Sequence, residues 1–287
     1  MLKILNIFNT LNQYAPKTQE FPQTLPVYSK KTKRNHFKYG VCSIPHPDKV
    51  KKGGEDANYT SDSLIAIADG VGGWAAFNID PALYSKELCK NIEQLHSKNP
   101  KNYEKNPKKL IEDSAEKTMS IGSSTCLILS MNEMNPILYS SYIGDSGFLI
   151  LRKIAHHFQI VFRSIEHCRS FNFPYQIGSS GDSPRMALDQ EHHIENNDII
   201  IAGSDGLFDN LDDEKIVSCV LQFVDYGDKL IDVNLIAEAL AEAAYQISID
   251  PKTDSKFALK AKKNKFKFRG GKKDDITVIV AQVELMN

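Results

Sequence analysis

Long apolar runs are missing from this chain. No stretch approaches the roughly 20 consecutive apolar residues that a helix needs to cross a bilayer, so the sequence predicts no membrane span. A strong net charge is missing too. The balance is -1 at pH 7, which gives no global attraction to nucleic acid or to an anionic membrane. We therefore expect no nucleic-acid partner, and any anion binding has to come from local patches.

Cysteine patterns that are typical of disulfide frameworks and zinc sites are absent as well. The five cysteines are odd in number, widely spaced and free of any C-x-x-C pair. We therefore expect reduced thiols and an intracellular location. With 41% hydrophobic and 25% charged residues, the chain has a globular composition and is long enough to bury a large core.

Acids are scarce in residues 1–34, where six basic residues stand against Glu20 alone. Apolar residues between Leu2 and Leu11 could form one helical face, a combination that is typical of an organelle transit peptide. An extended arm on the domain or a disordered tail are the alternatives. We predict that residues 1–34 are an N-terminal arm or transit segment and that residues 35–287 form the folded domain.

Strand-length, β-rich runs follow one another without intervening helices at 124–131, 137–143, 147–152 and 157–163. This order predicts an antiparallel meander and argues against a doubly wound parallel sheet. Upstream, Asp80-Pro81 and Asn106-Pro107 are helix starts, because proline suits the first helical position. We expect the second of these helices to run as far as Met119.

Further elements are predicted downstream. They are a strand at 198–203, helices at 212–224 and 232–249, and a final strand at 276–283. Residues 171–195 predict a loop with little regular structure, and we interpret its His192-His193 pair as solvated rather than as a metal site. Residues 256–269 hold seven basic residues and no acid, which indicates either a solvated loop or a cationic rim near an anion-binding site.

Two predicted strands end in an Asp-Gly pair, at Asp69 and at Asp205. A carboxylate at a strand tip, followed by glycine, can present both a side-chain and a backbone oxygen to a cation. Either pair alone could be an exposed turn. Glu55-Asp56 follows two glycines, however, and Asp274-Asp275 opens the last strand.

Carboxylates gathered at one end of a sheet repel one another, and each costs several kcal/mol if it is desolvated without a partner. A divalent cation is the natural compensation for that cost. All-oxygen ligation favours Mg²⁺ or Mn²⁺ over zinc. The spacing of the acids does not fit the twelve-residue loop of a calcium hand.

Six short motifs occur in one order between residues 39 and 287. They are Glu55-Asp56-Ala57, Asp69-Gly70-Val71-Gly72-Gly73, Gly122-Ser123-Ser124-Thr125, Gly144-Asp145-Ser146, Ser204-Asp205-Gly206-Leu207-Phe208-Asp209 and Lys273-Asp274-Asp275-Ile276-Thr277-Val278. Together they resemble the metal-dependent serine/threonine protein phosphatases of type 2C. Residues 69–74, 171–176 and 269–272 are further similar to the branch of that family found in mitochondria and chloroplasts.

The resemblance implies an α+β fold, a four-layer α/β/β/α sandwich of two antiparallel sheets flanked by helices, with two Mn²⁺ or Mg²⁺ ions at one edge of the sheets. It implies that Asp69 bridges the ions. The further roles that it implies are Glu55 and the Gly70 carbonyl on one ion, Asp205 and Asp274 on the other, Asp145 and Asp209 at a looser third ion, and Asp56 behind the ligands.

The implied activity is hydrolysis of phosphoserine and phosphothreonine in proteins by a water or hydroxide that bridges the two ions. The sequence differs from the family pattern at Val71, where many members have a histidine, and at Gly147, where an arginine is usual. The arginine that often precedes Glu55 is also absent, so Lys51 and Lys52 are our candidates for holding the phosphate, as point charges without a bidentate fork.

Two alternatives stay open: a phosphatase-like binding module without catalysis, and a phosphatase of small phosphoesters, because loops and surface charge select the substrate. We expect a monomer in the mitochondrion or the cytoplasm. Successive side chains on a strand point to opposite faces, so only one of Asp274 and Asp275 can readily reach the ions. The family pattern places the ligand first. Asp275 should then orient the local backbone, a role in which an amide could replace the carboxylate.

Overall fold

The computed structural model describes residues 34–155, 157–224 and 232–286. The predicted arm or transit segment therefore lies outside the described residues, except for Arg34, whose guanidinium pairs with Glu133 (Nη1 to Oε2, 2.8 Å). Asn35 is buried, and its side-chain amide donates to the carbonyls of Asn132 and Asn135. The described chain is thus tied to the domain from its first residues.

Fourteen strands are described. They are β1 (His36–Ile44), β2 (Asp56–Thr60), β3 (Leu64–Asp69), β4 (Ser123–Ser124), β5 (Cys126–Met131), β6 (Ile137–Ile143), β7 (Gly147–Ile154), β8 (His157–Arg163), β9 (Cys168–Ser170), β10 (Phe173–Pro174), β11 (Ile177–Gly178), β12 (Leu188–His193), β13 (Ile199–Gly203) and β14 (Ile276–Glu284). The α-helices are α1 (Pro81–Lys98), α2 (Pro100–Tyr103), α3 (Pro107–Lys117), α4 (Asp205–Phe208), α5 (Asp213–Leu221), α6 (Val233–Ser248) and α7 (Lys256–Lys263). Short 3₁₀ helices cover Pro47–Lys52, Gly72–Phe77 and Pro184–Met186.

The long strands form two antiparallel five-stranded sheets. One has the order β1-β14-β13-β7-β8 and the other the order β12-β6-β5-β3-β2. Two small ribbons, β10-β9 and β11-β4, stand beside them. Each sheet has two buried faces, which explains why the central strands are almost continuously apolar.

Alternation along β3 shows how the layers form. Ile65 and Ile67 pack in the core between the two sheets, whereas Leu64, Ala66 and Ala68 pack against the face covered by α1 and α3. Successive strand residues point to opposite faces, so a single strand serves both cores.

In the other sheet, β13 shows the same arrangement. Ile200 and Ala202 face the core between the sheets, and Ile199 and Ile201 pack with α5 and α6, the latter through Ile236. The order of layers is therefore helices, sheet, sheet, helices. The predicted four-layer α/β/β/α sandwich is confirmed.

The predicted meander is wrong in its pairing, although its strands exist. β5 and β6 pair in one sheet, and β7 and β8 pair in the other. The turn Gly144–Ser146 carries the chain from one sheet to the next. The sequence pattern of a strand shows which side chains share a face, but not which strand it pairs with. The passage of the chain from the sheet of β6 to the sheet of β7 could therefore not be predicted.

Three further predictions need correction. Residues 171–195 are not an irregular loop, because they contain β10, β11 and β12. Residues 256–263 form helix α7, whose first turn is capped by the Ser255 side chain. Met119 lies beyond the end of α3 and is exposed. The starts of α1 and α3 agree with the prediction, capped by Asp80 and Asn106.

All five cysteines are described, and as predicted none forms a disulfide. They are Cys42, Cys89, Cys126, Cys168 and Cys219. None of the helices described here is long and apolar enough to span a membrane.

His192 is buried in β12, not solvated as predicted. Its ring lies 4.2 Å from that of Phe162 and 5.4 Å from that of Phe148, centroid to centroid. Its Nε2 is 2.9 Å from the Ser140 hydroxyl. Burial lowers the pKa of His192 to about 4. The neighbouring His193 is exposed, as expected for the next residue of an edge strand.

We predict that His192 makes the domain acid-sensitive. Its folded-state pKa lies below the unfolded value of about 6.5, so the unfolded chain binds more protons between these values. The contribution of neutral His192 to the free energy of unfolding is complete above about pH 6.5. It falls by roughly 2 kcal/mol when the pH is lowered to about 5. His192→Gln should flatten the fall of the melting temperature from pH 7 to pH 5. His193→Gln is the matched control, and equal slopes for both variants would contradict the assignment.

Candidate metal centre

The edge of the sheet that contains β2 and β3 brings together four predicted site residues. Asp56 and Asp69 are directly opposite partners on the antiparallel strands β2 and β3, so their side chains leave the same face of the sheet. Glu55 immediately precedes β2, and its carbonyl accepts from the Gly70 backbone N–H at 3.2 Å. A local hairpin therefore holds three acids and the Gly70 carbonyl group in a fixed relation.

Gly70 is needed because the backbones approach closely. A Cβ atom at this position would lie 2.8 Å from the carbonyl oxygens of both Glu55 and Pro81. Any side chain would push β3 away from β2 and from the start of α1. Glycine thus keeps the tip of β3 beside Glu55.

A neighbouring segment fixes Asp69 from the other side. The Thr125 backbone N–H donates to the Asp69 carbonyl at 2.9 Å, and the Asp69 N–H donates to Thr125 Oγ1 at 3.2 Å. Thr125 Oγ1 also lies 2.8 Å from Ser146 Oγ. These contacts give Thr125, in the motif at residues 122–125, a packing role.

The sheet that contains β13 and β14 supplies Asp205 and Asp274. Asp205 begins α4 directly after β13, and Asp274 stands before β14, the neighbouring strand. The two chain segments touch at Gly206, where a Cβ would lie 2.1 Å from the Asp275 carbonyl oxygen. Glycine therefore permits Asp205 to sit beside the start of β14.

Acids from both sheets share one site, as the electrostatics of Asp69 indicate. Burial raises the pKa of Asp69 well above its usual range. The next causes are the negative charges of Asp56, Asp205, Asp274 and Asp145, in that order. Two of these belong to the partner sheet, so the four-layer packing itself makes the cluster.

Asp145 joins the cluster from the turn that links the two sheets. Burial and the charge of Asp205 raise its pKa, while the positive charge of Lys272 acts in the opposite direction. Asp209, the other residue expected at a looser third ion, is buried. Its Oδ2 lies 2.9 Å from the Lys272 ammonium.

Two lysines that we did not predict lie among the acids. Lys272 Nζ contacts Asp205 Oδ2, and it lies 3.2 Å from Asp274 Oδ2. Lys49 Nζ lies 2.6 Å from Glu55 Oε2 and 3.3 Å from Asp275 Oδ2. Burial alone would lower the pKa of Lys49, but Glu55 and Asp275 raise it above its usual value. Both lysines are therefore charged partners of the carboxylates.

The prediction for Lys51 and Lys52 is not supported by their position. Both are exposed at the end of the 3₁₀ helix Pro47–Lys52, and the lysine of that helix that reaches the acids is Lys49. Nothing in the local sequence marks Lys49 out.

Asp275 accepts hydrogen bonds from three donors. Its Oδ1 accepts from the His46 N–H at 2.7 Å. Its Oδ2 accepts from the Glu55 N–H at 3.0 Å and from Lys49 Nζ at 3.3 Å. This placement matches the backbone-orienting role expected for Asp275. It also shows that an amide would serve less well, because only one of its two terminal atoms can accept.

The donor set has the chemistry that Mg²⁺ and Mn²⁺ prefer, namely carboxylate and carbonyl oxygens. Asp205 Oδ1 and both carboxylate oxygens of Asp56 are buried without a hydrogen-bond partner. Within the described ranges, no three His, Cys, Asp or Glu side chains are arranged to hold an ion as they stand. The oxygen donors and the buried oxygens without partners nevertheless fit a divalent cation.

An open cleft of about 510 Å³ lies beside the end of β3. Val71, Trp74 and Phe77 contribute to one part of its lining and Phe173 to another. The Trp74 indole N–H donates to Ser123 Oγ at 2.6 Å, so the segment that holds Asp69 through Thr125 also holds one wall of the cleft through Ser123.

The basic stretch 256–269 packs beside the acidic cluster. The Phe257 N–H donates to the Asp209 carbonyl at 2.7 Å. Lys260 pairs with Glu166 at 2.6 Å and lies 3.5 Å from Asp209 Oδ1. The remaining basic side chains of the stretch, from Lys262 onward, are exposed. The sequence left open a solvated loop or a cationic rim. The structure has features of neither alone, since the first half of the stretch is a helix and the second half is an exposed cationic surface.

No protein-family model matches the chain. The chain is 40% identical over 261 residues to probable protein phosphatase 2C 26 of Arabidopsis thaliana, and the match covers 85% of this chain and 83% of that protein. Two longer Arabidopsis relatives, also named as probable type 2C phosphatases, are matched over 51% and 58% of their length.

Solved structures show the same fold. The X-ray structure of the photosystem II phosphatase PBCP has a TM-score of 0.78 and 34% identity, and the match covers 87% of this chain and 100% of that one. The catalytic domain of the serine/threonine phosphatase PstP, in complex with two manganese ions, has a TM-score of 0.61 and 19% identity, with 87% and 99% covered. At that identity the likeness to PstP concerns the fold alone.

We predict different effects for the neighbours Asp274 and Asp275. Asp274→Asn should weaken Mn²⁺ binding by more than about tenfold, since even groups behind a metal ligand typically matter by 10- to 100-fold. Asp275→Asn should mainly lower the melting temperature, because donors lose an acceptor at a cost of roughly 1–3 kcal/mol each. Calorimetric Mn²⁺ titration and thermal unfolding of both variants test this. The reverse ranking would mean that the two roles are exchanged.

Proposed function

Because this chain belongs to the type 2C serine/threonine protein phosphatases, we propose that it removes phosphate from phosphoserine and phosphothreonine in proteins with two Mn²⁺ or Mg²⁺ ions. The observation that carries the proposal is the convergence of acids from both sheets on Asp69, whose pKa is raised by burial and by their charges. Such a cluster is costly without cations and well suited to them.

The proposed ligands are those expected from the sequence. Asp69 would be shared by both ions, Glu55 and the Gly70 carbonyl would hold one, and Asp205 and Asp274 the other. When bound, such a pair lowers the pKa of a water towards about 7 and neutralises charge on the phosphoryl group. The bare oxygen Asp205 Oδ1 supports this assignment.

The remaining groups of the site orient the proposed ligands and neutralise part of their charge. The Thr125 hydrogen bonds hold the backbone of Asp69, and Asp275 holds the backbone of Glu55. Lys49 places a positive charge at Glu55, and we propose it in place of Lys51 and Lys52 as the lysine closest to an incoming phosphate. Val71 carries no proton to donate, so its side chain does not protonate the leaving oxygen.

The cleft favours a polypeptide substrate over a small phosphoester. Trp74, Phe77 and Phe173 contribute apolar rings to its lining, and Phe77 and Phe173 are exposed. A lone phosphate ester has no use for such surface, whereas residues next to a phosphoserine could pack on it. A binding module without catalysis is less favoured, because every acid of the proposed two-ion centre is present.

We also propose that residues 35–287 are the catalytic unit, supported by the Asn35 contacts at the start of the described chain. A monomer, and a mitochondrial or cytoplasmic location, stay predictions of the sequence. The sequence also predicts a looser third ion at Asp145 and Asp209, but the Lys272 ammonium already lies 2.9 Å from Asp209 Oδ2.

The first test is metal dependence. Hydrolysis of an aryl phosphate and of a phosphoserine peptide should require Mn²⁺ or Mg²⁺ and stop with EDTA. Asp69→Asn should lower kcat by about a hundredfold or more, a loss comparable to removal of one preorganised transition-state donor, with an unchanged circular dichroism spectrum. Asp62→Asn, an exposed acid on the same hairpin, is the control. Full activity in EDTA would rule out the two-ion mechanism.

The second test concerns the exposed lysines of the basic stretch. Neutralising Lys262, Lys265 and Lys267 together as glutamine should lower kcat/KM for phosphopeptides several-fold at low salt, because a cationic rim steers anions. The difference should shrink as ionic strength rises and charges are screened. Three exposed lysines on α1 and α3, Lys90, Lys98 and Lys117, give the control variant. If both variants behave alike, the stretch is a solvated surface.

A further inference from the structure

Lys272 occupies the position of an ion rather than that of a surface lysine. Its ammonium contacts Asp205 and lies 2.9 Å from Asp209 Oδ2 and 3.2 Å from Asp274 Oδ2, and its side chain is 15% exposed. Burial alone would lower its pKa, but these three carboxylates raise it well above the usual value. Three carboxylates around one cation is the pattern of a metal site.

The chain holds Lys272 in place at its backbone. The Lys272 N–H donates to Asn210 Oδ1 at 3.0 Å, and Asn210 Nδ2 donates back to the Lys272 carbonyl at 2.9 Å. Asn210 is fully buried and also bonds the Gly206 carbonyl. The ammonium lies 5.2 Å from the centre of the Phe257 ring, a favourable cation–π distance. The position is therefore built into the fold.

The oxygens of the cluster are divided between Lys272 and the rest of the site. Asp205 gives Oδ2 to Lys272, while its Oδ1 is buried without a hydrogen-bond partner. One oxygen is thus left for an ion that Asp69 shares. Asp209 differs, because each of its oxygens faces an ammonium group, with Oδ2 2.9 Å from Lys272 and Oδ1 3.5 Å from Lys260.

We propose that Lys272 is a tethered cation that takes the place of the looser third ion, so that this phosphatase binds two ions and not three. The inference rests on the proposed two-ion function and changes its stoichiometry. Lys272 neutralises the outer oxygens of Asp205, Asp209 and Asp274. Asp145 then has the charge of Lys272 near it instead of a third metal ion.

The test counts ions on the full chain with Mn²⁺ alone as the probe. Metal-free protein is titrated, and bound Mn²⁺ is measured from the electron paramagnetic resonance signal of the free ion. The wild type should bind two ions, and Lys272→Met should bind three. Lys272→Arg, which keeps the charge, should bind two, as should Lys273→Met, in which the exposed neighbour is neutralised. Adding Asp209→Asn to Lys272→Met should return the count to two.

Several outcomes would overturn the proposal. A third ion on the wild type would show that Lys272 and that ion coexist. A count of two for Lys272→Met, with tighter binding at one site, would show that Lys272 competes with an essential ion instead. If the wild type binds no Mn²⁺, the two-ion function itself fails, and this inference fails with it.

A second readout covers loss of stability in the metal-free variant. Lys272→Met leaves three carboxylates without their partner and could unfold when the metal is removed. The variant is therefore purified in Mn²⁺. Its melting temperature should rise further with Mn²⁺ concentration than that of the wild type, because an added site binds only the folded state. Equal rises in the two proteins would contradict the proposal.

Discussion

Repulsion among carboxylates is the constraint on which the rest of this structure depends. Asp56 and Asp69 come from one sheet, and Asp205 and Asp274 come from the other, and burial makes their mutual repulsion stronger than it would be in water. Left unpaired, such a cluster would favour separation of the two sheets. The fold offsets this with ammonium groups at two points, and two divalent ions would complete the compensation. Function and stability are therefore coupled at the same residues.

The scaffold that resists the repulsion is the four-layer core. Each central strand buries side chains on both faces, as β3 does with Ile67 on one side and Ala66 on the other, so the strand ends cannot drift without opening two cores at once. The acids sit at these ends rather than on long loops, which gives the precise placement that metal ligands need. Gly70 and Gly206 permit the remaining close approach of the backbones.

The sequence predicted what is written in local patterns. Asp69-Gly70 at a strand tip, Asp80-Pro81 at a helix start and each single family motif lie within a few neighbouring residues. It missed what arises from distant pairing. Lys49 meets Asp275 across 226 positions, and the crossing between β6 and β7 depends on which strands pair. His192 was interpreted as solvated because its burial comes from Phe148 and Phe162 and not from its own segment.

The most direct measurement is a crystal structure of the Mn²⁺-loaded protein with anomalous diffraction at the manganese edge. The account predicts two anomalous peaks that share the Asp69 carboxylate, one also in contact with Glu55 and the Gly70 carbonyl and the other with Asp205 and Asp274. Peaks away from Asp69, or none in saturating Mn²⁺, would contradict it.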